Sequence, residues 1–281
     1  MLEIKDLSFK YQNRAPLFSG LNLKLEEGFI YGLLGKNGAG KSTLLKNMVG
    51  VAFPVKGSCL FYGQKVASRP VKVLEDIYFL PEQLYAPSLT PLQFASGTGC
   101  FYPKFSAEDY RRYLEMLDVE RQEPMDSQSY GQQKKAMIAF GLAAGTSLLI
   151  MDEPTNGLDI PSKVKFRKLI ASVQHEKRCI VISTHQARDL DSLIDMITVL
   201  HQGAIVVNKS MDDILLKLSF GTFTDTEGLP VLYEEENIRG RNAILENTNG
   251  RISKPDLELL FNAVISDDSP VLKILKDSDH E

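Results

Sequence analysis

Cysteine is scarce in this sequence. The three that occur, Cys59, Cys100 and Cys179, stand far apart, form no C-x-x-C pair and are odd in number. That pattern argues against a disulfide framework; a reduced, cytosolic setting with all three thiols in structural roles is expected. Long hydrophobic runs are missing too. The most apolar uncharged stretch, Ala136 to Met151, has sixteen residues and includes two glycines, a threonine and a serine. A membrane span needs about 20 apolar residues, so a buried helix followed by a buried strand accounts for it better. The opening Met1-Leu2-Glu3-Ile4-Lys5-Asp6 alternates and carries charge, with none of the apolar core of a secretory leader. There is no surplus of positive charge: 32 Lys and Arg face 36 Asp and Glu, a net charge of -4. That balance argues against nucleic acid as a partner. No internal repeat and no low-complexity segment is present. What remains is ordinary globular material, with 281 residues of which 43% are hydrophobic and 24% charged. It has room for one large α/β domain or two modest ones.

One stretch stands out within it, Gly35-Lys36-Asn37-Gly38-Ala39-Gly40-Lys41-Ser42. It follows an apolar run, Phe29-Ile30-Tyr31-Gly32-Leu33-Leu34, that reads as a buried strand. It precedes Thr43-Leu44-Leu45-Lys46-Asn47-Met48-Val49, which reads as a helix stopped by Gly50. Strand, glycine loop and helix are the context that a phosphate-binding loop requires. Glycines let consecutive backbone N–H groups turn inward around a polyphosphate, and the helix N-terminus adds partial positive charge. Lys41 then places an ammonium on the outer phosphates, and the Ser42 hydroxyl is a ligand for Mg²⁺.

The rest of the chain sorts by period. Leu2, Ile4, Leu7, Phe9 and Tyr11 predict strands with a break near Lys5-Asp6, and Leu21, Leu23 and Leu25 a half-buried strand turned by Glu26-Glu27-Gly28. Ser58 to Tyr62 and Ile77 to Leu80 read as further strands. Thr90-Pro91 opens a helix. Ser106 with Asp109 resembles a capping box in which Asp stands in for Glu, and Tyr110, Tyr113, Leu114 and Leu117 form one core-facing stripe. Leu148 to Met151, Cys179 to Ile182 and Met196 to Leu200 are continuous apolar strands, with a helix from Pro161 between the first two. Such alternation predicts a largely parallel sheet covered on both faces. Beyond about Ser210 the pattern loosens into short strands and one helix after Pro255.

Leu148-Leu149-Ile150-Met151-Asp152-Glu153 ends a buried strand in two carboxylates. In a phosphate-loop protein Asp152 fits the role of holding Mg²⁺, and Glu153 that of orienting and deprotonating the attacking water. Upstream, Gln128-Ser129-Tyr130-Gly131-Gln132 precedes a helix reaching about Ala144, with Ser129 placed to cap it. Here the chain resembles an ABC-type ATPase, whose signature Leu-Ser-Gly-Gly-Gln lies about twenty residues ahead of the acidic strand end. Ser129, Gly131 and Gln132 match. Gln128 and Tyr130 depart, and Tyr130 matters if its position needs φ > 0.

The resemblance implies roles for further residues. Tyr11 matches the aromatic that stacks on adenine. His185, in Ser183-Thr184-His185, matches the switch histidine beside the γ-phosphate, and the other histidines, His175, His201 and His280, carry no such role. Asn156-Gly157-Leu158-Asp159 resembles the loop that touches the partner's site. Where the family usually has a glutamine contacting Mg²⁺ and sensing the membrane partner, ungapped counting places Glu82, with Gln83 one residue later. Glu82 is the preferred match, an acid shared with exporter-like branches. The implied catalytic set is Lys41, Glu153 and His185, and Mg²⁺ falls to Ser42, Asp152 and Glu82. ATP falls to Tyr11 and to Gly35, Lys36, Asn37, Gly38, Ala39, Gly40, Lys41, Ser42 and Thr43. From a second chain come Ser129, Gly131, Gln132 and Asp159.

The implied fold is a phosphate-loop α/β core with an N-terminal antiparallel β subdomain and an inserted helical subdomain at about 84–145. This nucleotide-binding domain spans 1–215, and a small α+β extension follows at 216–281. The implied function is that of the ATP-hydrolysing motor subunit of an ABC transporter. It would dimerise around ATP with a second cassette, expected to be an identical chain. It would drive a separate transmembrane permease, with a tilt toward export, from the inner face of the cell membrane. The alternative is a soluble ABC-type ATPase acting on ribosomes or DNA. Those relatives usually carry two cassettes or a long coiled coil, and neither pattern occurs here.

Overall fold

The computed structural model describes residues 1–187, 190–238, 240–250 and 252–276; His280 lies outside them. The elements run in the order β1 (Leu2–Phe9), β2 (Phe18–Leu25), β3 (Ile30–Leu34), α1 (Lys41–Met48), β4 (Lys56–Phe61), β5 (Gln64–Lys65), α2 (Val71–Leu74) and β6 (Ile77–Leu80). Three helices follow, α3 (Pro91–Thr98), α4 (Ala107–Met116) and α5 (Tyr130–Ala143). Then come β7 (Leu148–Asp152), α6 (Ile160–Val173), β8 (Cys179–Thr184), β9 (Met196–His201), β10 (Ala204–Ser210) and α7 (Met211–Lys217). The chain closes with β11 (Leu218–Phe223), β12 (Val231–Asn237), β13 (Gly240–Glu246), α8 (Leu257–Ile265) and α9 (Pro270–Lys276).

The apolar strands assemble into a six-stranded sheet in the order β10-β9-β3-β8-β7-β6. Every pair is parallel except β9 with the edge strand β10. These strands bury side chains on both faces, and their alternation assigns each side chain to one of two cores. Tyr31, Leu33, Leu148, Ile150, Cys179 and Val181 face Leu44, Leu45 and Met48 of α1 and the N-terminal sheet β2-β1-β4-β5. Ile30, Leu34, Leu149, Met151, Ile180 and Ile182 face Phe166, Leu169 and Ile170 of α6 and the helices beyond. Burial on both faces is why these strands read as unbroken apolar runs.

The predicted break in the first strand is a bulge within continuous β1. The register shifts between Ile4 and Leu7, Asp6 takes φ 47°, and its N–H is held by Asn22 Oδ1 at 3.0 Å. The expected helix start at Thr90 is a full capping box with Gln93. The one at Ser106 is half a box. Its hydroxyl accepts from the Asp109 N–H, while the Asp109 carboxylate turns to Arg112 instead of back to the cap. Aspartate is one methylene too short for the return bond that glutamate makes. The α4 stripe is core as expected, with Tyr110, Tyr113, Leu114 and Leu117 all buried. Phe140 of α5 is the hub of the helical layer, its ring within 6 Å of those of Tyr78, Phe94, Tyr102, Phe105 and Tyr110.

After α7, the strands β11, β13 and β12 form a separate antiparallel sheet in that order, backed by α8 and α9. Ile244, Leu257, Leu260 and Val264 belong to the same apolar core as Leu190, Ile197 and Val199. All three cysteines are free thiols, Cys59 and Cys179 buried and Cys100 exposed. No helix among the described residues is long and apolar enough to cross a membrane.

Candidate active site

Parallel pairing puts the carboxyl ends of β6, β7, β8 and β3 side by side, with Leu80 opposite Met151, Asp152 opposite Ser183 and Leu34 opposite Thr184. The residues that follow those ends therefore meet at one edge of the sheet, where open α/β sheets bind ligands. They are the glycine loop after β3, Glu82 after β6, Glu153 after β7 and His185 after β8.

The loop is built to leave donors uncovered. Gly40 is the N-cap of α1 at φ 104°, and no side chain caps that helix. Its first N–H groups are thus left to an external anion. A Cβ at Gly40 would lie 2.9 Å from the Phe18 ring, so only glycine serves there. Gly38, at φ 80°, has nothing within 4 Å on its Cβ side. The Ala39 N–H closes the turn on the Lys36 carbonyl at 3.0 Å.

Lys41 folds back into this turn. It is 7% exposed, donates to the Gly35 carbonyl at 2.8 Å and stands 3.8 Å from Glu153 Oε1. Burial lowers its pKa from the ordinary lysine value, and Glu153, Asp152 and Glu82 oppose that shift. A desolvated ammonium gains strongly from an anion placed beside it.

The two acids are braced by one residue. Ser183 Oγ donates to Asp152 Oδ1 at 2.5 Å and accepts from the Glu153 N–H at 3.1 Å, and its carbonyl accepts the same N–H at 3.2 Å. Glu153 takes φ 48°, which turns its carboxylate toward the loop. His185 Nδ1 lies 2.9 Å from Glu153 Oε1. In front of this pair opens a cavity of about 490 Å³, lined by Tyr11, Lys36, Asn37, Gly38, Gly40, Lys41, Ser42, Thr43, Glu82, Glu153 and His185. Arg14, Ala15 and Leu17 complete the wall. The Tyr11 hydroxyl and Thr43 Oγ1 are 2.8 Å apart. Gly35, Ala39 and Asp152 stand behind the lining.

The oxygen donors of Ser42, Glu82 and buried Asp152 suit Mg²⁺, which binds through one or two carboxylates and completes its shell with water and phosphate oxygens. No cluster of three His, Cys, Asp or Glu that would make an all-protein cage occurs among the described residues. Of the two alternatives at the end of β6, Glu82 lines the cavity and Gln83 does not.

Comparison with known proteins identifies the family. The profile of the ABC transporter family matches residues 18–156. The lantibiotic transport ATP-binding protein SrtF of Streptococcus pyogenes is 30% identical over 212 residues, 75% of this chain and 92% of that one. The chain belongs to the ABC transporter ATP-binding family. The cobalt import ATP-binding protein CbiO of Salmonella typhimurium is also similar to it, 32% identical over 221 residues, 74% of this chain and 80% of CbiO. A solved structure of an ATP binding subunit of an ABC transporter superposes with a TM-score of 0.67 and 27% identity, covering 76% of this chain and 91% of that one. The cassette is an ATPase of this family, with the family's mostly parallel α/β fold.

The second set of expected nucleotide contacts lies elsewhere. Ser129 caps α5 by accepting the Gln132 N–H at 3.4 Å, and a Cβ on Gly131 would stand 3.0 Å from the Gly157 carbonyl. The Gln132 side chain is engaged within its own chain, accepting from the Glu120 N–H and donating to the Asp118 carbonyl. Asp159 caps α6 through the Ser162 N–H at 2.9 Å. None of these four lines the cavity. Tyr130 opens α5 and is not among the positive-φ residues, so the position tolerates a bulky side chain. Two residues with roles at the site were given none by the sequence. One is Ser183, a hydroxyl at the end of an apolar strand. The other is Lys134, a cation inside the buried face of α5. Both are polar residues where the period demands apolar ones, which is the signal that marks them.

Proposed function

We propose that the cassette is the ATP-hydrolysing motor subunit of an ABC transporter, pairing head to tail with a second copy so that each nucleotide is held by two chains. The observation that carries this is the separation of the two half-sites. The loop, Lys41, Glu153 and His185 share one cavity, while Ser129 and Gly131, at the N-terminus of α5, do not line it. A γ-phosphate bound by Lys41 would be closed from the far side only by another chain's signature turn.

Within one chain the division of labour follows from position. Inward N–H groups and Lys41 neutralise the phosphates, and Tyr11 flanks the base. Ser42, Asp152 and Glu82 would hold Mg²⁺, which supplies charge neutralisation of the phosphoryl group when bound. Glu153 accepts the proton of the attacking water, and His185 orients Glu153 through their 2.9 Å contact. Residues 1–215 form the cassette proper and 216–281 an extension to it. The transmembrane permease is a separate partner, docked near Glu82 and the helices between Thr90 and Leu117, with the cassette on the cytoplasmic side. Glu82 in place of the usual glutamine favours export.

Purification of the tagged chain from detergent-solubilised membranes tests the assignment. A multi-span membrane protein in stoichiometric amount is expected. A stable complex with ribosomes or DNA, and none with a membrane protein, would overturn it. In proteoliposomes carrying that pair, ATP on the cassette side should drive cargo away from that side; movement toward it would reverse the direction.

A further inference from the structure

Tyr130 occupies a signature position where the family pattern has glycine, and its side chain reaches two other segments of the site and a lysine of its own helix. Its hydroxyl donates to the backbone carbonyl of Glu82. Its ring packs on the loop after Glu153, where a Cβ on Gly157 would come within 3.0 Å of the ring. The Lys134 ammonium lies 5.3 Å from the ring centroid. Lys134 is fully buried, and it donates to the carbonyls of Glu153 at 2.7 Å and Asn156 at 3.0 Å. An ammonium removed from water requires such partners, and an aromatic face adds to them.

These contacts tie three loops that the backbone leaves separate. The stretch from 81 to 90 carries no helix or strand, so the position of Glu82 depends on what its carbonyl is bonded to. The Glu153–Gly157 segment is fixed from behind by Lys134. The signature turn, which starts α5, supplies both Tyr130 and Lys134. Glycine at 130 would provide neither the phenol for Glu82 nor the ring between Gly157 and Lys134.

We infer that Tyr130 is a positioning residue that fastens the Glu82 loop to the signature turn, setting where the Glu82 carboxylate stands toward Mg²⁺ and making that placement move together with α5. The inference rests on the proposed role of Glu82 in holding Mg²⁺. Tyr130 does not line the nucleotide cavity of its own chain. Its effect is exerted through Glu82 in the same chain, whereas Ser129 next to it acts on the neighbour.

The test compares wild type with Tyr130→Phe, Tyr130→Gly and Glu82→Ala, measuring ATPase rate against Mg²⁺ concentration and the binding of ATP without Mg²⁺. Tyr130→Phe keeps the ring and loses one hydrogen bond, so the half-saturating Mg²⁺ concentration should rise about 2- to 10-fold. Binding of Mg²⁺-free ATP should stay at the wild-type value, because the glycine loop is untouched. Tyr130→Gly should show the same Mg²⁺ shift and a further fall in kcat. A Mg²⁺ dependence unchanged in Tyr130→Phe but raised in Glu82→Ala would overturn the inference alone. No change in Glu82→Ala would overturn the Glu82 assignment and the inference with it. Thermal melting of each variant separates these shifts from loss of folded protein.

Discussion

Lys41 carries its charge in a place where water barely reaches, and this sets its pH behaviour. Burial lowers its pKa below 10.5. Between that lowered value and 10.5 the folded chain holds fewer protons than the unfolded one, so this lysine's contribution to stability rises with pH there. With the ammonium in its proposed place on the phosphates, ATP affinity should fall over the same window. Equilibrium binding of ATP from pH 7 to 10 is expected to weaken below the pH at which an ordinary lysine deprotonates. Affinity that falls only where an ordinary lysine deprotonates would contradict this. Lys41→Ala removes a charge-assisted contact of about 1.5–3 kcal/mol, so ATP affinity should drop at least about tenfold in a filter or calorimetric assay. Glu153→Gln keeps size and shape while removing the base, and turnover should fall by about 10²- to 10⁴-fold with binding retained. That Lys41, Ser42 and Glu153 meet at one cavity was legible in the sequence, because glycine spacing and an acidic strand end carry their own physical reason. Ser183 was not, because its role exists only across the β7–β8 pair, between residues thirty-one positions apart.

Among the elements, α5 links the signature turn to the sheet, and its packing is tight where the sequence is small. A Cβ at Gly141 would stand 2.4 Å from the Tyr78 ring, itself held by its neighbours Tyr102 and Phe140. Gly141→Ala should therefore destabilise the cassette by about 1–3 kcal/mol, as overpacked cores do, read from the midpoint of urea unfolding. Arg178 closes the other end of the helix, donating to the carbonyls of Gly141 and Leu142 at 3.2 Å. Elements with a clear period were legible, including the α4 stripe and the strands buried on both faces. Continuity of β1 was not. A bulge at Asp6 interrupts the alternation while its N–H finds Asn22 on the neighbouring strand, a partner that the local sequence does not announce. The half-made box at Ser106 shows the same limit, since Asp109 is drawn to Arg112 one turn on.

At the scale of the molecule, the proposed function divides between two half-sites, and the residues of the second do not line the cavity of the first. The mostly parallel sheet gathers the residues after β3, β6, β7 and β8 at one edge, while the helical layer holds Ser129 and Gly131 outside that cavity. The sequence showed both halves, as a glycine loop and a signature turn, and it showed that each occurs once. How the sheet β11-β13-β12 joins the rest was illegible, because its strands are short and its core residues, such as Ile244 and Leu257, merge with the main core only in three dimensions. The measurement that bears most directly on the shared site is the solution mass of the Glu153→Gln chain, by light scattering or sedimentation, with and without MgATP. A doubling of mass that requires MgATP, and that disappears when Ser129→Arg is added, is the expected result. A chain that binds MgATP and remains a monomer at every concentration would contradict it.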